Sequence, residues 1–496
     1  MLLPITQRFF TPSDPRWRWL ARIILVMGLF VRIVVWWQQR SINLDEANLI
    51  RNFIERSYSG LFHNLSYEQY APPLFSVLVK ASIDTLGNEE RTVRLVPLLS
   101  GMLMLVLFYR LAYRWLTPMA VVLALAFVAF DKIFLDYATE CKQYATDGAA
   151  ALLLIELTYA TGRQSSKWSA LLWVVLGVVA IWLSMPAVFV LAGIGLVLLN
   201  YAIQHRDTSA IGGVITMGGL WSLSFLLYFI LLLQQNAQSD YLQNFHREYF
   251  LAFPPLSIEE FKLLLKQLGE LVDKSVGKTA VASVLAMIGF AMGVRELIRR
   301  RQAEGWLLLT PIIFCLIASA LHYYSLIPRL TLFFLPLLII IIFIGLDRLL
   351  SNRWTSYLFL VGIIITFINQ QHLYNLWQPF EGDYAEVSQG LAFIAQEQQP
   401  NETVFVYHNS VPVVRYYTQH RKHPFALRNL VLQHYRNSQT NIVTDDVQNL
   451  LQHGIRRVWL IYDRPDSTMV NLARTIGVIR KRKKYYRGYA LLCETN

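Results

Sequence analysis

The run LARIILVMGLFVRIVVWW, residues 20–37, determines the class of this protein. It approaches the roughly 20 apolar residues that a helix needs to cross a bilayer. The stretch Leu44-Asp45-Glu46-Ala47 follows it, so two adjacent carboxylates stand near the end of the first predicted span. Ionisable side chains are expensive to keep near hydrocarbon, and at such a position they are functional candidates for that reason.

The composition indicates a polytopic membrane protein. Of 496 residues, 55% are hydrophobic, and only 16% are charged, against about 25% in a typical soluble domain. The three cysteines form neither a disulfide framework nor a zinc motif. The net charge of +12 does not indicate nucleic-acid binding, because Lys and Arg mostly stand at the ends of apolar runs, where they orient membrane spans.

About eleven apolar runs have the length of membrane spans. They are residues 20–38, 95–115, 117–134, 144–160, 169–184, 186–203, 211–233, 277–298, 305–321, 329–347 and 355–372. A shorter run, 73–86, contains Lys80 and Asp84. The basic connections all fall on one side, as the positive-inside rule requires, only if this run lies at the membrane surface. We therefore predict a cytoplasmic N-terminus and external segments at 39–94, 135–143, 234–276, 322–328 and beyond about 375.

The last part of the chain is polar and differs from the rest. Strand-like runs at 403–407 and 457–462 are accompanied by helical patterns at 386–396, 412–418 and 445–452, and a strand pair is predicted at about 485–494. The predicted fold class is therefore mainly α and polytopic, with juxtamembrane helices in the first external loop and a small C-terminal α/β soluble domain. The transmembrane module would comprise residues 1–375, and the extracytoplasmic domain residues 376–496.

The external loop 39–94 is too long for a simple connection, which indicates a function for it. Asp45 and Glu46 begin a helical pattern in this loop. Asp is also a favoured helix N-cap residue, a role that needs no catalysis. A cap explains one of the two acids well and the other only as support for the helix dipole. The residues alone leave cap and catalyst open.

A second group of polar residues lies at 136–147, between two predicted spans. At helical spacing, Asp136, Glu140 and Gln143 would share one face. Acids gathered with the cation Lys142 at one edge of the bilayer would suit a substrate that carries a phosphate. The alternative is a solvated connection with one local ion pair. Asp147, which lies inside the next predicted span, favours the site.

A third group centres on Arg329, which opens a predicted span at its external end, where the orientation rule requires no cation. Arg is well suited to bidentate phosphate contact; the alternative is a snorkelling side chain. His322 is expected to be a structural hydrogen-bonding residue rather than a catalyst. Arg91 and Arg94 also break the orientation rule, and they would either contact phosphate or pair with acids of the same loop.

Other parts of the chain carry weaker signals. The loop 234–276 contains His246 and an amphipathic run at 258–271, for which a helix on the membrane surface is a sufficient explanation. The sequence has no P-loop, no GxGxxG before a helix and no serine-hydrolase elbow. Binding of a soluble nucleotide is therefore not expected.

Taken in order, these motifs resemble the GT-C superfamily of polytopic glycosyltransferases. The resemblance is nearest to the family-39 group, which includes protein O-mannosyltransferases and the aminoarabinose transferases that modify lipid A. The matching elements are residues 44–47, 71–75, 87–95, 140–144 and 329–336. Together they cover most of residues 20–347.

The resemblance implies a sugar donor on a polyprenyl phosphate, used on the external face of the plasma (inner) membrane. It also implies that Asp45 is the general base that takes the proton from an acceptor hydroxyl. Attack on one face of the anomeric carbon, with departure from the other, would invert that centre. Many relatives have Arg where Lys142 stands, and Lys cannot form the bidentate fork of Arg.

The predicted site has Asp45 and Glu46 as catalytic residues, with Glu46 orienting Asp45 or the acceptor. The predicted ligands of the donor phosphate are Lys142, Arg329, Arg94 and Tyr144, whose positive or donor groups would stabilise the leaving phosphate. Further candidates are Glu140, Asp136, His322 and Tyr70. No metal is required, since protein cations can neutralise a monophosphate, although some members of the superfamily use a divalent cation and two adjacent acids leave that option open.

Two other functions compete with this one. A secondary transporter or lipid flippase often shows internal repeats and interrupted spans with charges at the midplane, and neither is clear here. A non-catalytic scaffold would leave the loop acids and the external arginines without a common purpose. The sequence specifies neither the sugar nor the acceptor, which would be a lipid, a glycan or a protein.

Overall fold

The computed structural model describes residues 15–161, 167–234, 240–276, 280–300, 303–347, 385–433, 455–462 and 476–494, together with 350, 354, 361–362 and 473–474. These residues form a mainly helical molecule with a small C-terminal β-sheet, as the sequence predicts. The predicted span at 355–372 and the predicted helix at 445–452 lie outside the described residues, apart from 361–362.

The helices that precede the sheet fall into an N-terminal and a central series. The first series is α1 Pro15–Trp37, α2 Leu44–Glu55, α3 Pro73–Leu86, α4 Glu90–Val93, α5 Leu95–Trp115, α6 Pro118–Phe130, α7 Lys132–Ala138, α8 Tyr144–Thr161 and α9 Lys167–Leu183. The second is α10 Ala187–Gln204, α11 Thr208–Tyr228, α12 Asp240–His246, α13 Ile258–Val276, α14 Ala280–Arg300, α15 Ala303–Ala320, α16 Pro328–Thr331 and α17 Leu335–Leu346. A π-helical turn, Phe229–Leu233, continues α11.

Several of these helices have the properties of membrane spans. Within the described part of the chain, four are long and apolar enough to cross a membrane: Pro15–Trp37, Leu95–Trp115, Ala187–Gln204 and Thr208–Leu233. The pair α6 and α7, bent by 49°, would make a fifth. Large apolar side chains such as Phe30 and Leu223 are exposed on these helices, an arrangement that suits lipid better than water. The predicted number of about eleven spans is not established by helix length.

The helices α14 and α17 pack with their backbones in contact. A Cβ at Gly293 would overlap the carbonyl oxygen of Ile341, and one at Gly345 would overlap that of Gly289. Small residues at a crossing allow two helices to approach this closely. Every residue of α17 is buried, which accounts for its entirely apolar sequence.

The helix α3 corresponds to the short run whose position decides the predicted topology. Its buried residues Phe75, Val79 and Ile83 pack in the same core as α2 and the C-terminal sheet. Lys80 donates through Nζ to the carbonyl of Phe53 on α2 (2.9 Å). In its packing, α3 is thus a member of the first loop.

The C-terminal unit, by which we mean the described residues from 385 to 494, contains a five-stranded sheet. Its elements are α18 Val387–Glu397, β1 Thr403–Val406, α19 Val411–Arg415, β2 Leu430–Leu432, β3 Arg457–Tyr462, β4 Val478–Tyr485 and β5 Gly488–Glu494. The strand order is β2-β1-β3-β5-β4, with β1 parallel to β2 and β3, and β5 antiparallel to β3 and β4. The predicted strands β1 and β3 are confirmed.

The last strand pair begins earlier than predicted. We expected it within 485–494, but β4 starts at Val478 and the chain turns between Tyr485 and Gly488. The strand β4 lies at the edge of the sheet and is rich in exposed Arg and Lys. Such charges are usual on an edge strand, but they conceal the apolar alternation by which a strand is recognised.

The first loop and the C-terminal unit share one hydrophobic core. Phe53 of α2 and Phe75 of α3 belong to the same buried cluster as Val404 of β1 and Trp459 of β3. Cys141, from the connection between α7 and α8, is also a member. This shared core brings the loop, the connection 139–143 and the sheet to the same end of the helical bundle.

Candidate functional site

The first turn of α2 is closed by a capping box. Asn43 is the N-cap: its side-chain oxygen accepts the N–H of Glu46 (2.8 Å), and the Glu46 carboxylate accepts the N–H of Asn43 (3.1 Å). The sequence left two roles open for the acids, helix cap and catalyst, and the structure assigns the cap to only one of them. Asn43 and Glu46 make the cap, while Asp45 belongs to neither bond and remains 48% exposed.

Glu46 is fully buried, and both of its carboxylate oxygens are engaged. Oε1 accepts from Arg94 Nε (2.8 Å) and from the N–H of Cys141 (2.6 Å), and Oε2 accepts from Arg94 Nη2 (2.6 Å). Burial opposes ionisation, but the guanidinium and the N–H groups outweigh it, so the pKa of Glu46 lies below its usual value. The predicted catalytic role of Glu46 finds no support in these contacts, and we assign it a structural one.

Arg94 completes this buried ion pair. Its remaining donors reach the carbonyls of Arg40 (2.7 Å) and Ser41 (3.0 Å). Between the two roles that the sequence allowed, phosphate ligand or partner of a loop acid, these contacts favour the second. Arg91 stacks over the ring of Trp37, 3.7 Å from its centroid.

Asp45 instead faces Arg329. Its carboxylate lies 3.6 Å from Nη1 of Arg329, whose side chain is 31% exposed. Arg329 stands on the single turn α16, where the Tyr324 hydroxyl donates to the carbonyl of Leu330 (2.8 Å). The predicted continuous span at 329–347 is interrupted here, because α17 begins only at Leu335. A long, partly exposed ion pair of this kind is weak.

The segment 132–147 does not form one helix, so the predicted shared face of Asp136, Glu140 and Gln143 is wrong. The helix α7 ends at Ala138 and α8 begins at Tyr144. Thr139 Oγ1 donates to the carbonyl of Leu135 (3.0 Å) and accepts from Arg40 Nη2 (2.6 Å). Together with the bond from Cys141 N–H to Glu46, these side-chain contacts replace helical hydrogen bonds.

The acids of this segment consequently have different surroundings. Asp136 pairs with Lys132 (2.6 Å) and Arg40 (3.7 Å). Glu140 accepts a hydrogen bond from the side-chain amide of Asn43 (3.2 Å). Burial and repulsion from Glu46 raise the pKa of Glu140 to about 7. Glu140 therefore lies beside the cap of α2 and exchanges its proton near neutral pH.

The other predicted ligands surround this cluster. Lys142 is nearly buried, and its Nζ donates to Gln69 Oε1 (2.8 Å). Tyr144 packs edge-on against Tyr137, with 5.0 Å between ring centroids. Tyr137, Tyr144, Glu140 and Asp45 all contribute to the electrostatic environment of Arg329. The structure thus brings Asp45, Glu140, Tyr144 and Arg329 together, and Lys142 joins them through its interaction with Glu140.

Two other candidates, Tyr70 and His322, contact different parts of the molecule. The hydroxyl of Tyr70 contacts that of Tyr228 on α11. His322 is exposed on the turn after α15, with a positive φ of 61° and its ring against Phe250, 5.1 Å between centroids. Neither residue shows a direct contact with Asp45 or Arg329 in the described part of the chain.

His246 was not predicted as a site residue, although it lies near Arg329. Burial and then the charge of Arg329 lower the pKa of His246, so the imidazole is neutral at neutral pH. Its Nδ1 is buried and has no hydrogen-bond partner among the residues that the structure describes. Gln267 fixes the following chain by bonding to the carbonyl of Phe250 and the N–H of Ala252. No sequence spacing relates His246 to Arg329, so only the fold reveals their proximity.

No group of three or more His, Cys, Asp or Glu side chains that could hold a metal ion occurs within the described ranges. The two adjacent acids of the prediction, Asp45 and Glu46, do not present their carboxylates together as metal ligands, because Glu46 is paired with Arg94.

The chain matches no protein-family model and no curated protein sequence. It is similar to solved structures of ArnT from Cupriavidus metallidurans. The apo form has 16% identity and a TM-score of 0.48, with 94% of this chain and 97% of that chain covered. The form bound to undecaprenyl phosphate has 14% identity and a TM-score of 0.49, with 97% and 98% covered.

The chain is also similar to the Archaeoglobus fulgidus oligosaccharyltransferase in complex with Zn and sulfate, with 12% identity, a TM-score of 0.49 and coverage of 92% of this chain and 69% of that chain. ArnT and this oligosaccharyltransferase are GT-C superfamily glycosyltransferases. Similarity of this degree assigns no activity, substrate or residue role to the chain.

Proposed function

We propose that this protein is an integral-membrane glycosyltransferase. It would move a sugar from a polyprenyl-phosphate donor to an acceptor hydroxyl, with inversion at the anomeric carbon. The observation that carries the proposal is the 3.6 Å pair between Asp45 and Arg329. This ion pair places a carboxylate and a guanidinium, both partly exposed, at one end of a bundle of apolar helices.

Asp45 would act as the general base. The acceptor oxygen attacks the anomeric carbon, and its proton passes to the Asp45 carboxylate as the new C–O bond forms. The bond between the anomeric carbon and the phosphate oxygen breaks, and its electron pair leaves with the polyprenyl phosphate. Because Asp45 takes no part in the helix cap, it can accept this proton without disturbing α2.

Arg329 and Lys142 would stabilise the negative charge on the leaving phosphate. In the structure Arg329 rests against Asp45, and a bound phosphate would draw its guanidinium away from that carboxylate. The exchange releases Asp45 as a base when the donor arrives. Lys142, held by Gln69 in a nearly buried position, would supply a second cation where water is scarce and electrostatic interactions are strong.

The proposal includes an orientation. The first loop, the connection 139–143 and the C-terminal unit share a core, so they would lie together on the external side of the plasma membrane, with the N-terminus in the cytoplasm. Residues 1–375 would form the transmembrane module and residues 376–496 the extracytoplasmic domain. The acceptor would be a lipid, a glycan or a protein that reaches this face.

Mass spectrometry of envelope lipids and glycans, with and without the protein, would identify the product. The purified protein in vesicles should then transfer the same sugar from a polyprenyl-phosphate donor, and Asp45→Asn should abolish the transfer. If the vesicles accumulate a labelled solute or move lipid between leaflets but form no glycosidic product, the protein is a transporter or flippase and the proposal is wrong.

A further inference from the structure

The segment that joins α1 to α2 is held by side chains rather than by regular secondary structure. Residues 38–43 form neither helix nor strand, and their buried polar groups therefore need partners elsewhere. The N–H of Ile42 donates to the hydroxyl of Tyr417 (3.0 Å), which belongs to the C-terminal unit. Both residues are completely buried, so water is not available to replace this bond.

Ser41 makes a second connection to the same unit. Its hydroxyl accepts the N–H of Ser388 at the start of α18 (3.0 Å) and donates to the carboxylate of Glu386 (3.1 Å). Ser41 is also fully buried. Two successive residues of the segment, Ser41 and Ile42, are therefore bonded to the C-terminal unit directly before the helix that carries Asp45.

The C-terminal unit is attached to the far end of the first loop as well. The carbonyl of Asn88 accepts the N–H of Lys422 (2.9 Å), and its side-chain amide donates to the carbonyl of His420 (2.8 Å). Glu90 pairs with Arg421 (3.2 Å). Attachment at both ends of the loop fixes how the unit is placed relative to α2.

We infer that the C-terminal unit is a positioning element of the candidate site, in which Tyr417 and Glu386 hold the entry to α2 and thereby Asp45. This inference rests on the proposed function, because the position of Asp45 matters for catalysis only if Asp45 is the base. Neither Tyr417 nor Glu386 contacts the reacting atoms. Asp45 follows Ile42 by three residues, so any displacement of the segment moves the first turn of α2.

The size of the expected effect follows from general experience with oriented groups. A misplacement of about 1 Å can reduce the rate of an enzyme by roughly 100-fold. Loss of the bond between Ile42 and Tyr417 leaves Ser41 bonded to the C-terminal unit. The resulting displacement of Asp45 should therefore be smaller than about 1 Å. We therefore expect Tyr417→Phe to lower kcat by about tenfold while the KM for the donor stays unchanged, since Arg329 and Lys142 are untouched.

The chain offers a matched control in the adjacent residue. Tyr416 is buried like Tyr417, and the two rings pack edge to face, 5.1 Å between centroids. The hydroxyl of Tyr416 has no hydrogen-bond partner among the described residues. Tyr416→Phe thus removes the same atom from the same environment without releasing Ile42, and it should leave kcat unchanged.

The experiment measures hydrogen–deuterium exchange of the peptide 39–55 in the full-length protein without substrate, and kcat and KM in the transfer assay. Faster exchange and a lower kcat in Tyr417→Phe, with neither change in Tyr416→Phe, is the expected result. Parental exchange in Tyr417→Phe would overturn the inference, and so would faster exchange with a parental kcat. If Tyr417→Phe does not fold, Glu386→Gln, which preserves side-chain size, is measured in its place.

The two proposals fail in different ways. The exchange measurement needs no substrate, so it reports on the holding of α2 whatever the protein does. Full transfer activity in Asp45→Asn would overturn the base role, and with it the catalytic meaning of the C-terminal unit. A normal kcat in Tyr417→Phe, combined with an inactive Asp45→Asn, would overturn only the positioning role.

Discussion

Asp45 and Glu46 are neighbours in the chain, yet they pair with different arginines in opposite surroundings. Glu46 is fully buried against Arg94, at 2.6 Å, while Asp45 is half exposed against Arg329, at 3.6 Å. The buried pair is short, and several further hydrogen bonds hold it; the exposed pair is long and open to water. We therefore expect substitutions at the two acids to have different consequences, one on folding and the other on activity.

Asp45→Asn should reduce sugar transfer by about 10²–10⁴-fold, the usual contribution of a general base. Asparagine has the same size but accepts no proton at neutral pH. Membrane insertion and thermal stability should remain close to the parent, because Asp45 is half exposed and takes no part in the cap. Asp84→Asn, an exposed acid on α3 in the same loop, is the control and should retain activity. Activity in Asp45→Asn equal to that of the control would refute the base role.

Arg329→Lys should raise the KM for the donor by about tenfold, because Lys keeps the charge but loses the fork that grips two phosphate oxygens. Expression should be unaffected. Arg56→Lys, which alters an arginine bonded to Gly60 and Ser66 in the first loop, should leave the KM unchanged. Binding of a polyprenyl-phosphate sugar as tight as that of the parent would show that Arg329 does not hold the phosphate.

Glu46→Gln should destabilise the protein strongly. Removing one partner of a buried ion pair typically costs about 3–5 kcal/mol, and here Arg94 would lose its counter-charge. The measurement is the midpoint of thermal unfolding in detergent, with Glu89→Gln in the same loop as the control. The paired substitution of Glu46→Leu with Arg94→Met should be less harmful than Glu46→Gln alone, since no unpaired charge remains. A parental midpoint for Glu46→Gln would mean that the pair does not stabilise the loop.

Glu140 should make stability depend on pH in a defined window. Its pKa is raised from 4.5 to about 7, first by burial. Between these values the folded protein keeps a proton that the unfolded chain has lost, so stability falls as the pH rises through the window. Glu140→Gln should reduce the pH dependence of the midpoint of thermal unfolding across this range. Glu55→Gln, at the exposed end of α2, should retain the pH dependence of the parent. An equal slope in both variants would contradict the assignment.

Much of the fold was predictable because its signals are local. Apolar runs of span length, the short helix at 73–86 and the strands β1 and β3 depend on the residues within each segment. The edge strand β4 was placed too late in the chain because the charges that protect an edge remove the alternation of a strand. The shared helical face expected for Asp136, Glu140 and Gln143 was wrong because the contacts that hold this connection, such as the bond from Cys141 N–H to Glu46, come from far away in the sequence.

The candidate site was predictable only in part, for the same reason. Asp45, Lys142 and Arg329 each stand out by an unusual charge next to an apolar run. The different surroundings of Asp45 and Glu46 depend on which arginine each carboxylate pairs with, and no local sequence pattern encodes that choice. His246 and Gln69 carry no signal of their own, because an uncharged polar residue in a loop is ordinary until the fold shows its neighbours.

The glycine contact between α14 and α17 restricts movement of one helix against the other. Arg329 stands on the turn immediately before α17, and α17 cannot slide or rotate against α14 without forcing a backbone into a backbone at Gly293 or Gly345. A side chain added at Gly293 or Gly345 should therefore displace α17 and, with it, the turn that carries Arg329.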